Sequence, residues 1–299
     1  MASTPRLQRT RATGGADPRG RPPGWRLFAR NRLALSGATY LVVLALACAL
    51  APLLTSQSPT AMTLARPYAP PNREHVMGTD ALGRDVWSRV LFGGRFDLGL
   101  SVAAVTIATS AGVLLGLVAG YWGGAVENVL MRGIDILLAI PDLLLALAIV
   151  AFVGPSIPSV VLVIAFTRMP RYARLVRGAV LGLKGREFVT AATALGASRA
   201  RILLRHLIPN LTGVIVVYST LDLGGALGAL AGLSFVGVGI QPPSPEWGLM
   251  LADARQNLVL APWSAIFPGL TISLTILAFN FTGDGLRDTF DPRLGRRRG

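Results

Sequence analysis

The chain has 299 residues, of which 52% are hydrophobic and only 15% are charged, and its mean hydropathy is +0.54. This composition excludes a soluble globular protein, because too few polar groups are available to cover a water-exposed surface. The formal net charge of +14 does not indicate nucleic-acid binding, because the cations are grouped beside apolar stretches instead of forming one basic face. We predict an all-α membrane protein with about six transmembrane helices that form one membrane domain.

The cations fall into three blocks. Residues 1–32 hold eight arginines, residues 168–205 hold nine lysines and arginines, and residues 287–298 hold five arginines, which together are 22 of the 29 cations. The positive-inside rule places all three blocks in the cytoplasm. We therefore expect a multi-pass protein of the cell membrane with both termini cytoplasmic.

Residues 1–32 are rich in Arg, Pro and Gly and are predicted to form a disordered cytoplasmic tail. Residues 33–54 form the first predicted transmembrane helix. The surroundings of Cys48 faintly resemble a lipoprotein or signal-peptidase cleavage site, but the apolar run is longer than a typical signal-peptide core, which favours an uncleaved span. A single cysteine excludes a disulfide framework and a multi-cysteine metal site.

Residues 55–96 are polar and proline-rich, which predicts an extracytoplasmic loop. The remaining core, residues 97–284, contains five apolar stretches of about 20 residues, the length that crosses a bilayer. Residues 285–299 form a predicted cytoplasmic tail. The five predicted spans are 97–121, 129–153, 158–181, 211–238 and 264–283.

Two of these spans carry glycines at intervals of four residues, a spacing that lets a neighbouring helix approach closely. Such glycine rows have two interpretations. They either serve static packing between helices or form a smooth surface along which helices slide during gating. The two rows consist of Gly112, Gly116 and Gly120, and of Gly224, Gly228 and Gly232.

Three carboxylates, Asp135, Asp142 and Asp222, fall in or near the predicted membrane interior, where charge is costly and usually functional. Asp135 and Asp142 are seven residues apart and are predicted to share a helix face, with a kink at Pro141 between them. One interpretation is a proton relay in a secondary transporter. The alternative is that these carboxylates cap backbone groups that the kink leaves free.

Residues 187–210 predict a helical hairpin between two spans. The first short helix stops at Gly196, Ser198 caps a second helix, and Pro209 ends it. Its small residues and Arg-rich flank indicate either a docking surface for another protein or an ordinary structured loop.

This hairpin resembles the EAA loop of type I ABC importer permeases, although Thr190 stands where the general pattern has Glu and Glu187 is displaced by three residues. Three further stretches resemble the C-type subunit of the dipeptide, oligopeptide and nickel branch, and with the hairpin they cover the chain from about residue 25 onward. They are GTDALGRDVWSR at 78–89, QPPSPEWGLML at 241–251 and FNFTGDGLRDTFDPRL at 279–294.

The resemblance implies the fold of such a permease and ATP-driven import of dipeptides or oligopeptides, or of nickel or related solutes. It also implies a homologous second permease, two ATP-binding subunits that hold ATP and magnesium, and an extracytoplasmic substrate-binding protein. The hairpin would then be the element that couples the chain to the ATPases. The coupling residues are Glu187, Ala191, Ala192, Gly196, Ser198, Arg199, Arg201, His206, Pro209 and Asn210.

The outer loops are expected to meet the binding protein or to form the entrance of the pathway. The alternative at GTDALGRD is an internal ion pair of Arg84 with Asp80 or Asp85 that shapes the loop. Trp247 is expected to anchor at the membrane interface or in a partner's pocket. The outer-loop residues are Gly78, Asp80, Gly83, Arg84, Asp85, Gln241 and Trp247.

The sequence predicts no enzyme and no cofactor in this chain. Its single lysine, Lys184, follows a leucine and so cannot complete a phosphate-binding P-loop. His75 and His206 are the two histidines and are assigned to opposite sides of the membrane, which argues against a metal site. Two other classes of protein remain open beside the importer, a proton-coupled secondary transporter and a membrane protein that assembles or senses without transport.

Overall fold

The computed structural model describes residues 28–290, so most of the predicted N-terminal tail and the end of the predicted C-terminal tail lie outside the described residues. Within this range the regular elements are helical. They are α1 (Arg32–Ala49), α2 (Ala51–Leu54), α3 (Val86–Trp122), α4 (Gly124–Ala139), α5 (Asp142–Val153), α6 (Ile157–Lys184), α7 (Glu187–Ala194), α8 (Arg199–Val236), α9 (Trp247–Ala254) and α10 (Trp263–Phe290).

Side-chain caps fix where several of the helices begin. The side chains of Asn31, Asp85, Ser156 and Ser198 each accept a hydrogen bond from a backbone N–H in the first turn of the helix that follows. Such caps satisfy donors that have no partner inside the helix. At the other ends, α3, α5 and α8 stop at glycines with positive φ, where residues with a Cβ are disfavoured.

The predicted spans correspond to the long helices. In the described part of the chain, α1, α3, α8 and α10 are long and apolar enough to cross a membrane, and α4 with α5 makes a fifth candidate as one bent pair. The sixth predicted span corresponds to α6, which has 28 residues but is not among these candidates, since four arginines lie from Arg168 to Arg177. Several boundaries differ from the prediction: α3 begins at Val86 inside the predicted loop, α8 begins at Arg199 within the hairpin, and α10 continues to Phe290.

The first glycine row lies where α3 packs along α6. A Cβ on Gly112 would come within 2.4 Å of the Tyr172 Cβ, and one on Gly116 within 2.6 Å of the Ala173 carbonyl. At these distances there is no room for a Cβ on either glycine. The glycine row therefore sets how closely α3 and α6 approach each other. Together with α5 and α8, α3 and α6 also bury the largest apolar cluster found among the described residues.

The second glycine row, in α8, is packed less closely. A Cβ on Gly224 would be 3.3 Å from the Ile276 carbonyl, one on Gly228 would make an ordinary contact, and one on Gly232 would have no described atom within 4 Å. The prediction that a helix approaches closely along this whole row is therefore wrong within this chain. The α8 backbone meets α10 only at the start of the row.

Two local predictions were also wrong. Asp135 and Asp142 do not share a helix face, because α4 and α5 meet at an angle of 92°. Proline restricts the residue before it to extended conformations, and Ile140, next to Pro141, has φ −95° and ψ 129°.

Pro209 does not end the second hairpin helix. Within α8 a π-helical segment, Ile202–Leu207, precedes it, and Pro209 lies in the first turn of the α-helical segment Ile208–Val236, where its missing N–H is tolerated.

Candidate functional site

The hairpin formed by α7 and the start of α8 is fixed at its base by apolar contacts. Val189, Ile202 and Leu207 are buried in a cluster with Leu117, Val176 and other residues of α3, α6 and α8. Burying side chains of this size contributes roughly 1.5–3 kcal/mol each. The hairpin is therefore held firmly against the ends of the long helices.

The tip of the hairpin is open. Gly196 has φ +77°, as the sequence predicted for the end of the first helix, and a Cβ there would meet no described atom within 4 Å. Leu195 and Leu204 expose 88% and 67% of their surface. Apolar side chains this exposed, in a segment whose base is buried, are typical of a binding surface.

The predicted coupling residues all lie on this hairpin, and most are exposed. Ser198 caps the second helix by accepting from the Arg201 N–H at 3.3 Å, and Asn210 Nδ2 donates to the His206 carbonyl at 2.7 Å. The sequence analysis missed Leu195 and Leu204. The position of Leu195 directly before the helix-ending Gly196, at the turn of the hairpin, is the sequence signal that could have indicated it. The exposed members are Glu187, Ala191, Gly196, Ser198, Arg199, Arg201, Pro209 and Asn210, while Ala192 and His206 are half-buried.

The second predicted site is a cluster of buried charges at the start of α3. Arg84 Nε donates to Asp80 Oδ2 at 2.6 Å, and Arg84 Nη2 donates to Asp253 Oδ2 at 2.9 Å. Arg89 Nε lies 3.7 Å from the same Asp80 oxygen. We call Asp80, Arg84, Arg89 and Asp253 the loop clamp, because these residues join the 55–85 loop and α3 to α9.

The loop clamp is internal to the chain. Arg84 and Arg89 are only 3% and 1% exposed, and Asp80 is 8% exposed. Next to the clamp, Asp85 accepts from the Ser88 N–H at 2.7 Å and contacts His75 Nδ1 at 2.9 Å. The expectation that Asp80, Arg84 and Asp85 meet a partner is therefore wrong for their side chains, and the internal ion pair is what the structure shows.

The two glycines of this loop allow its path. Gly78 and Gly83 have φ +74° and +69°, a region that favours glycine. A Cβ on Gly83 would lie 2.1 Å from the Thr63 carbonyl, so the close approach also requires the missing side chain. The sequence analysis missed Arg89 and Asp253, whose proximity depends on contacts between distant parts of the chain.

The stretch from Gln241 to Trp247 divides into an exposed and a buried part. Gln241, Pro242 and Pro243 are exposed, whereas Trp247 is fully buried and its Nε1 donates to the Val90 carbonyl at 2.9 Å. The prediction that Trp247 anchors at the membrane interface or in a partner is therefore wrong. Gly93 and Gly94 allow this approach, because a Cβ on either would collide with the 245–247 segment.

A pair of buried carboxyl groups holds the start of α9. Glu246 accepts from the Gly248 and Leu249 N–H groups at 3.0 and 2.6 Å, and Asp97 accepts from the Trp247 N–H at 3.0 Å. Burial raises the pKa of the Glu246 carboxyl above its ordinary value, and the two backbone donors oppose this shift only in part. The sequence analysis missed both acids.

Arginines of α6 pair with each carboxylate that the sequence analysis singled out in the membrane region. Arg174 Nη2 donates to Asp135 at 2.6 Å, Arg171 Nη2 donates to Asp142 at 2.5 Å, and Arg168 binds Asp222. Tyr172 also donates to Asp222, at 3.1 Å. Each of the three carboxylates is thus paired with an arginine of α6, so the structure shows separate ion pairs between helices and not the chain of carboxylates that a proton relay needs.

Comparisons with known proteins agree with this geometry. The model of the family described as binding-protein-dependent transport system inner membrane component matches residues 112–296. A second model, the N-terminal transmembrane domain of oligopeptide transport permease C, matches residues 24–71. The chain belongs to the binding-protein-dependent permease family. It is the permease subunit of an ABC importer, and as such a transport subunit and not an enzyme.

Two relatives illustrate the similarity. The permease is 43% identical to the dipeptide transport system permease protein of Alkalihalophilus pseudofirmus over 89% of this chain and 87% of the relative. It is 41% identical to the glutathione transport system permease protein of Pectobacterium atrosepticum over 90% of both chains. These relatives support neither the secondary transporter nor the non-transporting membrane protein.

The fold also matches a solved structure. A chain of the MetNI methionine ABC transporter, in an inward-facing conformation, superimposes with a TM-score of 0.54 over 68% of this chain and 97% of its own length, at 18% identity. At this identity the likeness shows the fold alone. As a member of the binding-protein-dependent permease family, the chain is a multi-pass membrane protein that works with ATPase and substrate-binding components.

Proposed function

We propose that the permease imports small peptides, such as dipeptides or glutathione, in a complex with a second permease and two ATPase subunits. The observation that carries this proposal is the identity of 41–43% over nine tenths of the chain with permeases of dipeptide and glutathione transport systems. ATP and magnesium are held by the ATPases, and this chain contributes half of the pathway.

In this proposal the hairpin is the site that docks onto an ATPase. Its tip presents Leu195 and Leu204 to solvent beside exposed arginines, so the complementary surface is an apolar pocket with an acidic rim. Because the base of the hairpin is buried among α3, α6 and α8, movement of the tip is transmitted to the membrane helices. Closure of the ATPases then switches the pathway between inward-facing and outward-facing states.

The orientation follows from the hairpin's role. The hairpin and both termini are cytoplasmic, and the loop clamp with the exposed Gln241–Pro243 turn lies on the outer side, where the binding protein delivers substrate. Reporter tags near Arg19, Arg199 and Arg296 should be cytoplasmic, and tags near Asn72 and Ser244 extracytoplasmic. A tag at Asn72 that reports from the cytoplasm would contradict this orientation.

Transport is tested with the complete complex in proteoliposomes. We expect uptake of a labelled dipeptide or of glutathione that requires ATP on the ATPase side and loaded binding protein on the other side. Vesicles without ATP but with a pH gradient are the control. Uptake that follows the pH gradient and ignores ATP would contradict the proposal and favour a secondary transporter.

A further inference from the structure

Four arginines follow one another at intervals of three along α6, and each pairs with an acid on a neighbouring helix. Two of the acids lie on α4, one on α5 and one on α8, so the series ties α6 to most of the surrounding helices. The pairs are Arg168 with Asp222, Arg171 with Asp142, Arg174 with Asp135, and Arg177 with Glu127.

By helix length the Arg171–Asp142 pair lies near the middle of the membrane, although the positive-inside rule alone assigned Arg171 to the cytoplasmic block 168–205. Arg171 is at the centre of α6, whose 28 residues span about 42 Å. The neighbouring Tyr172 packs against Gly112, ten residues before α3 ends at Trp122, which is about 15 Å along that helix. Since the hydrocarbon core is about 30 Å thick, both measures place the pair close to its midplane.

Exposure separates this pair from the one beside it. The side chains of Arg168 and Asp222 are only 11% and 8% exposed, and Tyr172 completes their contacts, so this pair is a buried link between α6 and α8. The side chains of Arg171 and Asp142 are 38% and 40% exposed. A charged pair open to this extent at mid-membrane does not face lipid, because charge in hydrocarbon is strongly disfavoured.

The backbone beside Asp142 gives an independent indication. Between α4 and α5 the chain leaves the helical conformation at Ile140 and Pro141, and both residues are exposed. Non-helical backbone at membrane depth is tolerated only inside protein or along a water-filled cavity. The break and the exposed ion pair therefore lie on a surface that is not turned to lipid, which in the proposed complex is the side of the second permease and of the pathway between the two subunits.

We propose that Arg171 and Asp142 form a charge-pair subsite of the pathway that binds zwitterionic substrates. Arg171 takes the substrate carboxylate and Asp142 takes the ammonium group. A short peptide carries these two opposite charges, so it replaces each partner of the ion pair and leaves neither charge uncompensated in the membrane interior. This inference rests on the proposed function, because it specifies the substrate class that the same pathway accepts.

The test uses the double variant Arg171→Gln/Asp142→Asn, which removes both charges and leaves no unpaired ion. In proteoliposomes with the ATPases, the second permease and saturating loaded binding protein, we expect uptake of labelled dialanine to fall by about tenfold or more. Abundance and ATPase stimulation by binding protein should persist. The control is Arg177→Gln/Glu127→Gln, an ion pair of the same series beside Gly120 near the end of α3, where uptake should stay within about twofold.

Water access gives a second measurement. Ile140→Cys should react with a water-soluble thiol reagent and be protected by dialanine, whereas the unaltered chain, whose Cys48 is buried, gives the background. Normal uptake in the Arg171→Gln/Asp142→Asn variant, an equal loss in the control pair, or an unreactive Ile140→Cys would overturn the subsite. Absence of dialanine uptake by the unaltered complex would instead refute the proposed peptide transport.

Discussion

The loop clamp and the hairpin are built from the same local ingredients. Each has a glycine with left-handed backbone, a capped helix start and a group of arginines. In the loop clamp the arginines are almost fully buried, and Gly83 is in close contact with the Thr63 backbone. In the hairpin the arginines are exposed, and a Cβ on Gly196 would meet no described atom within 4 Å.

This difference shows that surroundings, more than local sequence, decide what a charged turn does. Buried charges must be paired within the chain, so the loop clamp stabilises the fold and is closed to other proteins. Exposed arginines beside exposed leucines contribute little to stability by themselves and are available to a partner. Substitutions that affect the loop clamp should therefore reduce folding, whereas substitutions in the hairpin should reduce transport.

The largest effect is expected from Arg84→Glu. Reversing this charge puts a third carboxylate beside Asp80 and Asp253. Arg89 is then the one remaining cation of the loop clamp that can pair with these three acids. Breaking a buried ion pair typically costs about 3–5 kcal/mol. We expect strongly reduced abundance in the membrane and a lower Tm in detergent. Arg73→Glu, an exposed arginine in the same loop, is the control and should behave like the unaltered chain.

A smaller effect is expected from Gly83→Ala. Its left-handed backbone costs a non-glycine residue roughly 1–2 kcal/mol, and the contact 2.1 Å from the Thr63 carbonyl adds an overpacking cost of about 1–3 kcal/mol. The same change at Gly196 carries only the backbone cost. Thermal unfolding of the two variants should show a clearly larger decrease in Tm for Gly83→Ala. Equal decreases would mean that the loop moves aside easily and that the clamp is less rigid than its contacts indicate.

Gly196→Leu tests the hairpin as a coupling element. Backbone strain of roughly 1–2 kcal/mol should change the direction of the second helix and displace Leu195, while the buried base preserves insertion. We expect near-normal abundance but uptake reduced by at least about tenfold, as when an interface loses a dominant residue. ATPase activity stimulated by binding protein should fall as well. Unchanged uptake and stimulation in this variant would refute the coupling role.

The sequence was sufficient for the long helices and for the hairpin. Apolar runs of about 20 residues, the Ser198 cap and the Gly196 turn each depend on a few neighbouring residues, and the structure has them near the predicted positions. Local rules failed at Pro209, because the π-helical segment before it could not be predicted from the sequence pattern. The same rules predicted a kink at Pro141, but they could not predict the 92° angle between α4 and α5.

The sites could be predicted only in part, because their contacts join distant segments. Asp253 reaches Arg84 across 169 positions, and Trp247 reaches the Val90 carbonyl across 157. Nothing near these residues in the sequence indicates which partner each will meet. For that reason the tryptophan after the proline-rich turn was predicted to be a surface feature although it is buried, and the internal ion pair of Arg84 was only one of two interpretations.

The smallest effect is expected at the other end of α9, where Glu246 is buried. Burial raises the pKa of its carboxyl above the ordinary value of 4.5, so the folded protein binds this proton more tightly than the unfolded chain does. By linkage, stability should decrease as the pH rises above 4.5 and level off once the pH exceeds the raised pKa. Measured Tm values at increasing pH should show this decline.

Glu246→Gln should flatten that decline, because the amide is neutral at every pH. The variant loses one of the two acceptors that bind the Gly248 and Leu249 N–H groups, so its Tm at low pH should fall by an amount equivalent to about 1 kcal/mol. Glu74→Gln, at an exposed acid of the 55–85 loop, should leave the pH dependence unchanged. If Glu246→Gln retained the full decline, the pH dependence would belong to other groups, and the contrast between buried and exposed charges would not extend to α9.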